Sequence, residues 1–93
     1  MKVIIGQSLT VEDTDDLRRL SATSSLSPEE ISSALDESGA GTYAGDHCWL
    51  YVAALRALGP DEDRWRTEFD RMIAYAASRG WVAGDCVRVH LES

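Results

Sequence analysis

Residues 48–58 read Cys-Trp-Leu-Tyr-Val-Ala-Ala-Leu-Arg-Ala-Leu, and Arg56 carries the only charge among them. An apolar run of this length, with Asp46 in front and Gly59-Pro60 behind, reads as a helix: the aspartate caps its start and the Gly-Pro pair stops it. A helix that is apolar nearly all round is buried on most sides. This segment is therefore expected at the centre of the fold, with the rest of the chain packed about it.

Toward the C-terminus, Asp61, Glu62 and Asp63 suit the positive end of a further helix. Trp65, Phe69, Met72, Ile73 and Ala76 fall on one face of it at i, i+4, i+7, i+8 and i+11. Its other side offers Glu62–Arg66, Arg64–Glu68 and Arg66–Asp70 as ion pairs one turn apart. Arg79-Gly80 ends it. Val87, Val89 and Leu91 then alternate with Cys86, Arg88, His90 and Glu92, the period of a strand.

Toward the N-terminus, the glycines at 39, 41 and 45 make residues 39–45 read as a flexible connector. Ser27-Pro28-Glu29-Glu30 combines a capping box with a proline at the first helical position. Ile31, Ala34 and Leu35 form the stripe of the helix that follows, and Gly39 closes it. The hydroxyls of residues 21–25 compete for backbone hydrogen bonds and mark the end of an earlier helix, which Thr10 caps and whose Leu17 and Leu20 share a face. Val3, Ile5 and Leu9 point one way in a first strand.

The expected fold is thus α+β and mostly helical. About four helices are flanked by N- and C-terminal strands paired as a small antiparallel sheet, in a single domain over residues 1–93. A lone two-stranded ribbon is only marginally stable in water. Helices must cover it or a second copy must extend its free edge, so a homodimer is expected.

The chain has 16 acidic and 9 basic residues, for a net charge of −7. Residues 1–46 hold nine of the acids and only Lys2, Arg18 and Arg19 as bases. Such a surface repels phosphate, which supplies most nucleic-acid affinity, so nucleic-acid binding is disfavoured. No window is long and apolar enough for a membrane span, and the apolar start is too short for a signal peptide. The chain reads as cytoplasmic, with Cys48 and Cys86 reduced, although a bridge between them stays open. Eight arginines against one lysine point to a GC-rich bacterial genome.

No cofactor motif emerges. Gly39-Ala40-Gly41-Thr42-Tyr43-Ala44 fits a dinucleotide-binding spacing, but a helix precedes it where a strand is required. His47 and Cys48 are adjacent, and Cys86 and His90 are about 13 Å apart along a strand, so neither pair chelates a metal. Asp46-His47-Cys48 resembles an activated thiol on paper, yet consecutive helical residues do not face one another. Ser27–Leu35 could open a helix-turn-helix, but the short turn is missing.

With no nucleophile, base and oxyanion donor converging, the leading expectation is a non-catalytic accessory or regulatory protein that binds another protein. Tyr43, His47, Tyr51 and Trp81 are its candidate ligand or partner contacts, because aromatic residues are enriched at interfaces. The three tryptophans otherwise read as core. The alternative is a small enzyme or ligand-binding domain with its site at Gly39–Gly45 and the following helix N-terminus, using Tyr43, Asp46 and His47.

Overall fold

The computed structural model describes residues 1–92. Within these residues three helices and seven strands follow one another: β1 (Lys2–Ile5), β2 (Leu9–Glu12), β3 (Ser21–Thr23), α1 (Pro28–Ser38), β4 (Gly41–Tyr43), β5 (His47–Tyr51), α2 (Val52–Leu58), α3 (Asp63–Ser78), β6 (Val82–Ala83) and β7 (Cys86–Glu92). The strands form one mixed sheet in the order β2-β1-β3-β7-β5-β4, and β6 adds to β7 beside that path. The mostly helical fold with four helices and a two-stranded antiparallel sheet is therefore wrong.

Three segments account for most of the difference, and the short strands β4 and β6 for the rest. The residues after the expected Thr10 cap are not helical: the chain turns back at Gly6-Gln7-Ser8 and Leu9–Glu12 pairs with β1, setting Leu9 opposite Ile5 and Val11 opposite Val3. Leu9 does share a face with Ile5, but across a hairpin. Ser21–Thr23 is not a helix end but β3, which lies between β1 and β7 and runs parallel to both. Ala22, fully buried, fits between Val3 and Leu91. The terminal strands therefore do not pair with each other. Each has strands on both sides, so neither offers the free edge on which a dimer was expected; β2 and β4 end the sheet, and the short β6 is paired on one side only.

The third segment is the decisive stretch. His47–Tyr51 is strand β5, and only Val52–Leu58 is helical. In β5 the apolar side chains serve two faces in alternation. Cys48 and Leu50 enter the core opposite Val89 and Val87, while His47, Trp49 and Tyr51 point away from it. An apolar run with every second residue buried satisfies a strand as well as it satisfies a buried helix.

The capping box forms as read: the Glu30 N–H donates to Ser27 Oγ and the Ser27 N–H to Glu30 Oε1. Gly39 ends α1 in the left-handed region at φ 67°, where a side chain would be strained. In α3, Trp65, Phe69 and Ala76 are buried as the stripe requires, and Met72 and Ile73 pack at its margin. The ion pairs one turn apart do not form. Arg66 turns back to Asp61 and Asp63, and Asp70 takes the Arg56 guanidinium through two hydrogen bonds, tying α3 to α2.

All buried sheet residues, including Val3, Ile5, Ala22, Cys48, Leu50, Val87 and Val89, belong to one cluster with the buried residues of the three helices. The helices thus cover one face of the sheet, and no polar residue is buried among the described ones. Among the described residues no helix covers the opposite face. There Ile4 and Trp49 are half-buried and Arg88 and His90 are exposed. No helix among the described residues is long and apolar enough to cross a membrane.

Candidate functional site

The sheet is incomplete along one side of β7. There β3 pairs with residues 90–92 and β6 with residues 86–87, leaving a notch at Arg88 and Val89. The Arg88 N–H is taken by the Trp81 carbonyl at 2.8 Å, so the notch leaves that donor satisfied. A groove of about 560 Å³ lies against the notch. One wall is the segment 13–20 that crosses from β2 to β3, contributing Leu17, Arg18 and Leu20. The other is the last turns of α3, contributing Arg71, Met72 and Tyr75. Trp81, Val87 and Arg88 close it.

Each wall has a local cause. The 13–20 segment contains three acids and only Leu17 and Leu20 as apolar residues, so it crosses as turns, with Asp13 itself in the left-handed region at φ 51°. The indole N–H of Trp65 holds it down by donating to the Thr14 carbonyl at 2.8 Å. At the far end, the Trp81 N–H bonds back to the Ala76 carbonyl at 2.9 Å, which folds the residues after α3 over its last turn. Trp81 meets Tyr75 edge-on at 6.1 Å, and the Arg79 guanidinium stands 5.6 Å from the Trp81 ring centre.

The groove is apolar at its base and cationic at its rim. Arg18, Arg71 and Arg88 line it against one carboxylate, Glu68, which already bonds Arg71 at 3.3 Å. Among the described residues, neither Arg18 nor Arg88 makes an ion pair. A chain with seven excess negative charges thus gathers guanidiniums at this one apolar groove.

Of the residues singled out from sequence, only Trp81 belongs here. Tyr51 is exposed at the end of β5, beside α2. Tyr43, Asp46 and His47 lie on the β4–β5 hairpin, where Asp46 and His47 meet but Tyr43 does not join them. Tyr43 stands opposite Cys48 and packs on the core, whereas His47 points to the open face. His47 is not at a helix N-terminus, because the helix expected there is a strand. The Gly39–Gly45 stretch is likewise not a loop in front of a helix but a helix cap, an edge strand and a hairpin turn. Trp49, expected in the core, lies half-buried on the open face. The groove escaped the sequence because its residues come from four separate segments; Arg18, Arg71 and Arg88 share no spacing.

Asp46 Oδ1 lies 2.6 Å from His47 Nδ1, and this hydrogen bond holds the Asp46 carboxyl below the usual carboxylate range. The two thiols face opposite sides of the sheet, Cys48 inward and Cys86 outward, so they cannot form a bridge within one chain. Burial pushes the Cys48 thiol up to about 11. Unfolded, it would ionise near its ordinary value of 9.0. Between those values the folded chain keeps a proton that the unfolded chain has lost, so this group makes stability fall as pH rises. At neutral pH, iodoacetamide should alkylate Cys86 at least about a hundredfold faster than Cys48, which reacts only when the chain opens. Mass spectrometry of a labelling time course reads both rates; equal rates would place Cys48 outside the core.

No protein-family model matches this chain, and no curated protein or solved structure matches it significantly.

Proposed function

We propose that the protein is a small accessory protein that binds another protein, taking an acidic segment with an apolar or aromatic anchor into the groove beside Trp81. The observation that carries this reading is the pairing of an apolar groove with three rim arginines in a chain of net charge −7. Buried aromatics and arginines are the side chains that dominate binding energy at interfaces. A guanidinium takes a carboxylate through two parallel hydrogen bonds, which sets the orientation of an acidic segment as well as its charge. Elsewhere the negative surface repels acidic chains, so the groove would supply both the attraction and the discrimination.

The experiment is an amide NMR titration with short synthetic peptides carrying Leu and Phe among Asp and Glu, set against the same peptides with Lys in place of the acids. The acidic peptides should shift resonances of Leu17, Arg18, Leu20, Met72, Tyr75, Trp81 and Arg88. Replacing Arg18 and Arg88 by glutamate should weaken binding by about tenfold or more. Equal binding of the lysine peptides, or shifts centred on the β4–β5 hairpin, would refute the assignment.

A further inference from the structure

The hydrogen bonds at the two ends of the β5–β7 ladder fix its phase. The Leu91 N–H donates to the Asp46 carbonyl at 2.9 Å, and the Val52 N–H donates to the Asp85 carbonyl at 2.9 Å. In an antiparallel ladder such bonded pairs alternate with non-bonded pairs, whose Cα atoms approach to about 4.5 Å and whose side chains stand closest. Counting inward from either end makes His47 and His90 a non-bonded pair, directly opposite each other. Both point to the face that no helix covers.

Asp46 prepares one of the two rings. Its carboxylate, 2.6 Å from His47 Nδ1, can only accept, so Nδ1 carries a proton and Nε2 is the nitrogen left for an ion. His47 is further steadied edge-on against Trp49 at 5.9 Å. His90 is exposed and free to choose its rotamer. Two imidazole nitrogens about 3 Å apart match neighbouring ligand positions on an ion with metal–nitrogen bonds of about 2.0–2.1 Å, and facing side chains on a non-bonded pair can reach that separation.

We propose that His47 and His90 together bind a divalent late transition ion of the zinc, nickel and copper class, for which imidazole is the suited ligand. Among the described residues no cluster of three or more His, Cys, Asp and Glu side chains is spaced to hold a metal. The remaining positions of the ion therefore belong to water, and the site is open to a further ligand. The inference is independent of the groove beside Trp81, since neither histidine lines it.

Nickel(II) chloride titrated into the full chain tests it, followed by amide NMR and by quenching of tryptophan fluorescence. One equivalent should broaden resonances centred on residues 46–49 and 88–91, and quenching should be lost in Trp49→Phe. His90→Gln, at an exposed position, should keep the fold by circular dichroism and weaken nickel binding by about tenfold or more, because a chelate becomes a single ligand. Asp46→Ala should weaken it several-fold by freeing the His47 ring. Cys86→Ser should leave it unchanged. Binding as tight in His90→Gln as in the parent, or broadening centred on Cys86, would overturn the proposal.

Discussion

Replacing Phe69 with alanine should destabilise the protein by about 3–5 kcal/mol, the range for deleting a buried aromatic ring. Phe69 is fully buried and stacks on Trp65, with ring centres 5.1 Å apart and planes 20° from parallel. The pair stands between α3 and the rest of the fold. Trp65 reaches the 13–20 segment through its indole N–H and fills the space beside Gly59, where an added Cβ would meet the indole at 2.1 Å. Deleting the Phe69 ring removes one side of the stack, and a sheet on the other side of the core cannot follow α3 inward without breaking its own ladder. A domain of this size has about 5–10 kcal/mol in total, so the variant should be largely unfolded at modest urea concentrations. Tyr75→Ala on the same helix, 60% exposed, should lose under about 1 kcal/mol. A urea melt in which Phe69→Ala also loses less than about 1 kcal/mol would mean that α3 does not bury this stripe.

Gly41→Ala should be comparably severe, for a different reason. A Cβ at Gly41 would lie 2.0 Å from the Trp49 carbonyl oxygen and 2.9 Å from the Leu50 Cα. Both are backbone atoms of β5, so no rotamer change relieves the contact and the two strands must part. α1 packs chiefly on β4, and parting the strands therefore loosens the helix as well. The expected loss exceeds about 3 kcal/mol, in the range reserved for a specific structural lesion. Amide exchange should quicken at Ala44 and Tyr51, whose N–H groups bond across this hairpin to His47 and Ala40. Gly39→Ala is the control. Nothing lies within 4 Å of its Cβ, and only the positive φ opposes it, at about 1 kcal/mol. A Gly41→Ala variant no worse than Gly39→Ala would show that β4 does not lie against β5.

The elements legible in the sequence are those that complete their own hydrogen bonds. α1 carries its capping box within residues 27–30, and the stripe of α3 recurs within one segment. β7, with seven residues, is long enough for its alternation to exclude a helix. The short strands were not legible. Leu9–Glu12, Ser21–Thr23 and Gly41–Tyr43 span three or four residues each, too few for a period of 2 to be told from one of 3.6. In the apolar stretch at 48–58 the two periods overlap, and glycines that look like flexibility in the sequence turn out to be a cap, a close strand approach and a turn.

The site followed the same division. Trp81 could be proposed as a surface aromatic because it lies just beyond a helix end, and it is 38% exposed. That Arg18, Arg71 and Arg88 join it depends on the route of the 13–20 segment across the sheet. Metal binding was set aside from sequence on the spacing of His47 with Cys48, which point to opposite faces of the sheet, and of Cys86 with His90, which stand four residues apart on one strand. The pair that matters, His47 with His90, exists only through register.

By itself, then, the sequence determined the capped helix α1, the amphipathic helix α3, the stop at Gly59-Pro60 and the terminal strands, because a helix bonds i to i+4 and shows its buried face within a few turns. The tertiary structure alone decided that β3 separates the terminal strands, that 47–51 is a strand, and which side chains meet across β5 and β7. The physical reason is that a strand's hydrogen bonds go to a partner elsewhere in the chain, and nothing inside a segment of three to five residues states which partner that is.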